Sequence, residues 1–317
     1  LAEALLADQT RLLEPRAAYR FGGGSSFGSG GAAGQNPPSG AVIHYWLADK
    51  PTGELTMEIL DEEGKVLRSL SSETEEPRAP NPWRRFMTGP QPSRKLSVDK
   101  GLNRYVWNLR LADAILVEDS VLWGSARGPR VPPGTYQVRL TAGDEMSEAH
   151  FEVLGDPRLE TSAEDYAQQF GLAEQVWRSL SDSHRLLRTA RDVRQQILDL
   201  ASRLESQDED EALATAARES AEALHAIAER IHQSRAESSQ DVLNFPPQLD
   251  NQLLDLLGVV SGGNAAPTAG ARRRYADLRA ELEAVGADLE AVLSDQVRTF
   301  TDLVRDRQVP AVIVPTL

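Results

Sequence analysis

The chain has 317 residues, 48 acidic and 34 basic, for a net charge of −14. That length suggests two domains, and 40% apolar with 6% aromatic residues is enough for packed cores. The acidic balance argues against a nucleic-acid binder, whose affinity comes from Lys and Arg neutralising phosphates, and against a basic membrane-surface helix. No cysteine is present, which excludes disulfides, thiolate catalysis, iron–sulfur clusters and Cys-ligated zinc. No run approaches 18 consecutive apolar residues, so no membrane insertion is expected. The opening LAEALLADQT lacks an initiator Met and the basic start of a signal peptide, so the chain reads as a piece of a longer precursor.

Residues 1–38 read as an N-terminal segment followed by a linker. Leu5, Leu6, Leu12 and Leu13 suit a short helix or strand belonging to whatever precedes the chain, and 21–40 is dominated by Gly and Ser with no apolar period. A phosphate-cradling loop would end in Lys and Ser/Thr, whereas Gly34 leads to Gln35 and Asn36.

From 39 to 156 the pattern becomes short alternating runs: 41–48, 54–60, 65–70, 103–110, 135–142 and 148–154. Asp61 to Gly64 predicts one tight hairpin and Gly143-Asp144 another. Spacing and turn density predict an antiparallel β-sandwich of about seven strands. Proline places 71–95 and 112–133 in long loops.

Beyond Pro157 the period changes from two to about 3.5. Apolar stripes run through Phe170, Ala173, Trp177, Leu180, Leu187, Ala190, Val193, Ile197, Leu200 and Leu204, then from Leu213 to Ile231. A last seam takes Tyr275, Leu278, Leu282, Val285, Leu289, Val292, Gln296, Thr299 and Leu303. Thr161 and Ser162 with Glu164 and Asp165 start the first helix, a short helix spans 249–260, and Pro267 falls in the first turn of the last. The acidic run at 208–211 reads as a helix cap, with a cation site as the alternative. The prediction for 157–317 is an elongated antiparallel, coiled-coil-like helical bundle with an extended, apolar C-terminal tail. The fold class is thus α+β with separate domains. The short helix covers only about 18 Å at 1.5 Å per residue, which predicts that part of the longer seams stays uncovered.

The strings NPPSGAVIHYWL, ELTMEILDEEGKVLRSL, GLNRYVWNLR and GPRVPPGTYQVRLTAG resemble the Ig-like module of flagellar hook-capping proteins. Together with NFPPQLDNQLLDLLGVVSGGNAAPT and the long helices, residues 10–314 resemble the C-terminal part of large bacterial proteins whose N-terminal part is a sortilin-like, BNR-repeat β-propeller, often labelled glycosyl-hydrolase-like. The resemblance implies an exported protein, periplasmic, extracellular or cell-surface, with the propeller of its own precursor as a partner. No propeller Asp-box (S-x-D-x-G-x-T-W) occurs in this chain.

Candidate chemistry is sparse. His225, Glu229 and His232 share a helical face, which could hold a metal but reads better as a solvated polar flank. His44 and His150 read as satisfied strand residues. No G-x-S-x-G elbow is present, and Gly28-Ser29-Gly30 lies in the linker, a poor place to hold a nucleophile. The acidic clusters fall in turns or at caps, unlike the paired carboxylates of glycoside hydrolysis. Strand aromatics, with Tyr105 and Trp107 on one face, read as sandwich core. Trp83 and Trp123 differ, because both sit in long loops where an exposed ring is a docking contact, a ligand contact or a loop anchor. No catalytic, cofactor-binding or metal-binding residue is therefore assigned, and no cofactor is expected. Two readings of function remain: a non-catalytic scaffold or interaction region that docks to the propeller, to a second copy or to another protein, and a carbohydrate-binding accessory module. Catalysis within this chain is a third, weaker reading.

Overall fold

A computed structural model of the protein describes residues 9–21, 38–75, 94–118, 120–204 and 211–307. It is an α+β molecule, with all strands in its first half and the α-helices in its second. The strands are β1 (Arg11–Leu12), β2 (Ala18–Tyr19), β3 (Ala41–Leu47), β4 (Leu55–Leu60), β5 (Val66–Ser71), β6 (Gly101–Trp107), β7 (Gly134–Ala142) and β8 (Glu145–Leu154). One sheet has the order β1-β3-β6 and the other β2-β8-β7-β4-β5. The predicted hairpins join β4 to β5 and β7 to β8. At the first, Gly64 adopts φ +79°, a conformation that L side chains rarely take.

Alternation decides which side chains go inside. Ala41, Ile43, Tyr45 and Leu47 of β3 are buried with half-buried residues between them, and Leu55, Met57 and Ile59 repeat the pattern on β4. Residues of both sheets join one buried cluster around Trp107, whose ring meets Phe151 edge-on at 6.0 Å and Tyr136 at 5.7 Å. Two features depart from the expected pattern. Leu12 and Ala18 are buried and their strands pair with β3 and β8, so part of the N-terminal segment belongs to the sheets. The β2–β8 pair is also parallel, so the strands are not all antiparallel. Two-residue strands are too short for alternation to reveal them.

The helices are α1 (Ala163–Leu204), α2 (Glu211–Ile231), α3 (Leu249–Ser261), α4 (Ala269–Val292) and α5 (Arg298–Asp306). At 1.5 Å per residue the 42 residues of α1 span about 63 Å. Ser162 and Asp165 cap each other reciprocally at its start. Thr268 caps α4 by accepting from Ala271 N–H at 3.1 Å, which places Pro267 just outside that helix rather than in its first turn.

Along α1 two apolar clusters follow in series. Leu172, Val176 and Leu180 pack with α3 and the first half of α4, and Leu187, Ala190 and Ile197 pack with α2, Val285, Leu289 and Phe300. A π-helical turn, Leu293–Val297, joins α4 to α5. Such a turn inserts one residue into the helical count, so the buried position is Phe300 whereas the predicted Gln296 and Thr299 are exposed. The seam upstream is covered, with Tyr275, Leu278, Leu282, Val285 and Leu289 all buried, contrary to the expected open stripe. The linker at 22–37, the acidic residues 208–210 and the tail from 309 lie outside the described residues.

Candidate functional site

The sheets and helices meet along the connection between β6 and β7. This arm doubles back on itself, with Leu111 N–H donating to Pro129 O at 3.0 Å and Ala114 N–H to Ala126 O at 2.8 Å. Its tip also finds backbone partners on helix side chains. Ile115 N–H donates to Ser181 Oγ (3.2 Å), Val117 N–H to His184 Nδ1 (3.0 Å) and Trp123 N–H to Asn251 Oδ1 (2.8 Å). Trp177 Nε1 donates back to Ala112 O at 3.1 Å. Buried backbone groups need such partners, and Ala114, Leu122 and Ala126 of the arm accordingly belong to the helical cluster. Packing therefore runs across the expected boundary at 156–157, with Phe170 and Trp177 of α1 also resting on the sheet core.

Where the two apolar clusters of α1 meet lies a buried polar group that the sequence pattern does not single out. His232 Nδ1 is 2.6 Å from Asp250 Oδ2, His184 Nε2 is 3.6 Å from the same oxygen, and Asn251 N–H donates to Asp250 Oδ1 at 2.6 Å. Because His184 Nδ1 accepts from Val117, its proton sits on Nε2. Burial pulls the His184 imidazole down to about 3, with His232, Arg191 and Arg188 adding to the effect. Burial pushes the Asp250 carboxyl up, against the hydrogen bond from His232. The space against Asp250 is about 10 Å³, at the threshold for a single water. An imidazole whose basic nitrogen is occupied, in a site closed to substrate, holds the arm and α3 to α1. One signal is available in the sequence: His184 stands at the heptad position between Leu180 and Leu187, where an apolar residue would otherwise sit.

Trp123 is on the outside of the same junction and 44% exposed. It forms one wall of a cavity of about 560 Å³ whose other walls include Val242, Asp255, Leu256, Val259 and Arg274. Gly124 lets the arm lie flat on α3, since at φ +139° an added Cβ would come within 3.0 Å of Leu254 Cγ. Trp83 lies outside the described residues.

The structure does not bring the other candidates together. His225 is exposed while His232 is buried, so they share no site, and among the described residues no group of three His, Asp or Glu is placed to hold a metal ion. His44 is half-buried, and His150 is exposed on the outer face of β8 rather than satisfied within the sheets. Among the described residues no helix is long and apolar enough to cross a membrane. Comparison with models of known families, with curated proteins and with solved structures finds no match.

Proposed function

We propose that this chain is a non-catalytic scaffold and interaction region of a larger exported protein: an Ig-like sandwich fastened to an antiparallel, coiled-coil-like bundle. The Ig-like reading is supported by the shared core of two facing sheets, by the buried Trp107, and by Tyr136 O–H donating to Pro132 O at 2.7 Å, a corner bond of the kind such sandwiches use. The non-catalytic reading rests on the His184–Asp250–His232 group, whose accepting nitrogen and carboxylate are taken up in fastening the arm and the helices.

The observation that carries the interaction role is the Trp123 cavity. Val259 is 63% exposed on its wall and Leu243, beside Val242, is 83% exposed. A concave apolar surface with an aromatic anchor is the form of a protein contact. Its occupant in this reading is the propeller of the same precursor or a second copy. The carbohydrate reading draws less support, because Trp107 and Tyr136 are buried and the exposed Tyr19 and Phe21 stack on each other at 5.3 Å instead of lying side by side.

Sedimentation at several concentrations, alone and with the propeller, tests the reading. Association should appear in one of the two arms and be weakened at least about tenfold by Trp123→Ala, as expected of an anchor residue, with the melting curve unchanged. A chain that stays monomeric and ignores the propeller rejects the interaction role. Turnover of a glycoside or peptide that disappears on mutating a residue of this chain rejects the non-catalytic one.

A further inference from the structure

A second concavity, of about 170 Å³, lies on the other side of the arm's base, where β2, the end of β6 and the returning strand of the arm converge. Its walls carry four arginines, Arg20, Arg110, Arg127 and Arg130, in a chain whose net charge is −14. Arg20 is only 3% exposed. Its Nη2 donates to Gln169 Oε1 at 2.6 Å and its guanidinium lies 4.8 Å from the Tyr166 ring centroid, while Nε and Nη1 are buried with no hydrogen-bond partner among the described residues. Arg110 Nη1 donates to Gly128 O and Arg130 Nη1 to Phe21 O, both neutral partners, and among the described residues neither arginine forms an ion pair. Asp113, the carboxylate that acts on Arg110, is itself paired with Arg94 at 2.8 Å.

Like charges gathered this way are costly without a counter-charge. Burial, with Arg130 adding to it, draws Arg20 down to about 10, and burial, followed by Arg130, Arg127 and Arg20, does the same to Arg110. Both remain cations at neutral pH. The backbone also bends to build the cleft. Leu109 has φ +58°, the sole positive value among the described non-glycine residues, and it belongs to the sheet core while lining the cavity together with Asn108 and Arg110 on either side. Such a conformation is strained for an L-residue and persists where the surroundings require it.

We propose that the Arg20–Arg110–Arg127–Arg130 cleft is an anion site for a doubly charged tetrahedral oxyanion, a phosphoryl or sulfuryl group. Guanidinium forks match such oxygens in geometry as well as charge, and the buried Arg20 adds its positive charge to the wall of the cleft. A single carboxylate would leave more of the charge unbalanced. At roughly 30 Å³ per water, the volume admits the anion and the first atoms of whatever bears it. Tyr19 and Phe21 line the entrance, 44% and 46% exposed, and can meet an aromatic carrier.

The full chain is titrated calorimetrically with inorganic phosphate, with sulfate and with phenyl phosphate, against chloride at matched ionic strength. The expected result is saturable one-to-one binding of each dianion, at about 1 mM or tighter, with no comparable heat from chloride. Tighter binding of phenyl phosphate assigns the site to an anion carried on a ring, and equal binding assigns it to the free anion. Arg127 is exposed, so Arg127→Gln keeps the test independent of folding; it and Arg130→Gln should each weaken binding about tenfold, the loss of one charge-assisted contact. Dianion binding no stronger than chloride, or undiminished in both variants, overturns the proposal.

Discussion

The two cores of this protein solve burial differently. In the sheet core, backbone polar groups pair with one another along the ladders, and the interior is filled mostly by apolar and aromatic side chains such as Trp107, Tyr45, Ile43, Met57 and Phe151, all nearly inaccessible. The helical core satisfies its own backbone internally as well, but it must also accept a loop. Ser181, His184 and Asn251 do so at positions where apolar residues would otherwise pack, with Asp250 and His232 behind them. The lesson is that a core closed mainly by paired strands needs few polar groups inside it, Arg68 and Asn103 being its buried exceptions on the strands, whereas a helical core that receives the tip of an irregular arm has to carry polar acceptors for it.

The largest expected effect breaks the apolar side of this comparison. Trp107→Ala removes the ring on which Tyr136 and Phe151 converge, and its indole N–H bond to Arg110 O at 2.9 Å. It should destabilise the protein by about 3–5 kcal/mol in urea unfolding. A loss below about 1 kcal/mol would mean that the sheets do not share one core. Because Phe170 and Trp177 of α1 rest on that core, the helical circular dichroism should melt together with the sheet signal. Two separate transitions would instead support separate domains.

A smaller effect sharpens the comparison within the helices. Phe300→Ala should cost about 3 kcal/mol, and Thr299→Ala less than about 0.5 kcal/mol. The reverse ranking in urea unfolding would show that the seam continues in its heptad register, without the π turn at Leu293–Val297.

Legibility follows the same division. Strands β3, β4 and β7 are readable because alternation records a one-sided burial, and Leu278, Leu282, Val285 and Leu289 are readable because a heptad does the same for a helix. The π turn leaves no such mark, since one inserted residue changes which side chain is buried without requiring any residue type. Nor does the polar junction. His184, Asp250 and His232 come from separate segments of the helical half, and only the docked arm explains why a histidine stands in the stripe. Trp123 stands out by its loop, but its bond to Asn251, 128 residues away, is not legible from either segment alone. The arginine cleft is hidden for the same reason, because its members are scattered from Arg20 to Arg130.

The smallest effect is a pH dependence that tests whether the polar junction is sealed. His184 is held near 3, against an ordinary 6.5, first by burial and then by His232, Arg191 and Arg188. Between those values the unfolded chain binds a proton that the folded chain does not, so stability falls as pH drops through the window, by at most about 1.4 kcal/mol per unit. Asp250 acts in the opposite direction. Its folded value is raised by burial above the ordinary 3.8, and between the two the folded chain keeps a proton that the unfolded chain has released, so stability there rises as pH falls. In the unmodified protein the two trends oppose each other, and the informative quantity is a difference. His184→Gln keeps an acceptor for Val117 N–H and removes the imidazole titration. Urea unfolding of both proteins at about pH 7.5, about 6 and about 5 brackets the ordinary histidine range. The unmodified protein should lose ground to the variant by about 1 kcal/mol per unit below 6.5. Parallel curves would mean that His184 meets water in the folded state. The junction would then be an open polar cleft, and the contrast between a sealed sheet core and an equally sealed but polar helical seam would fail.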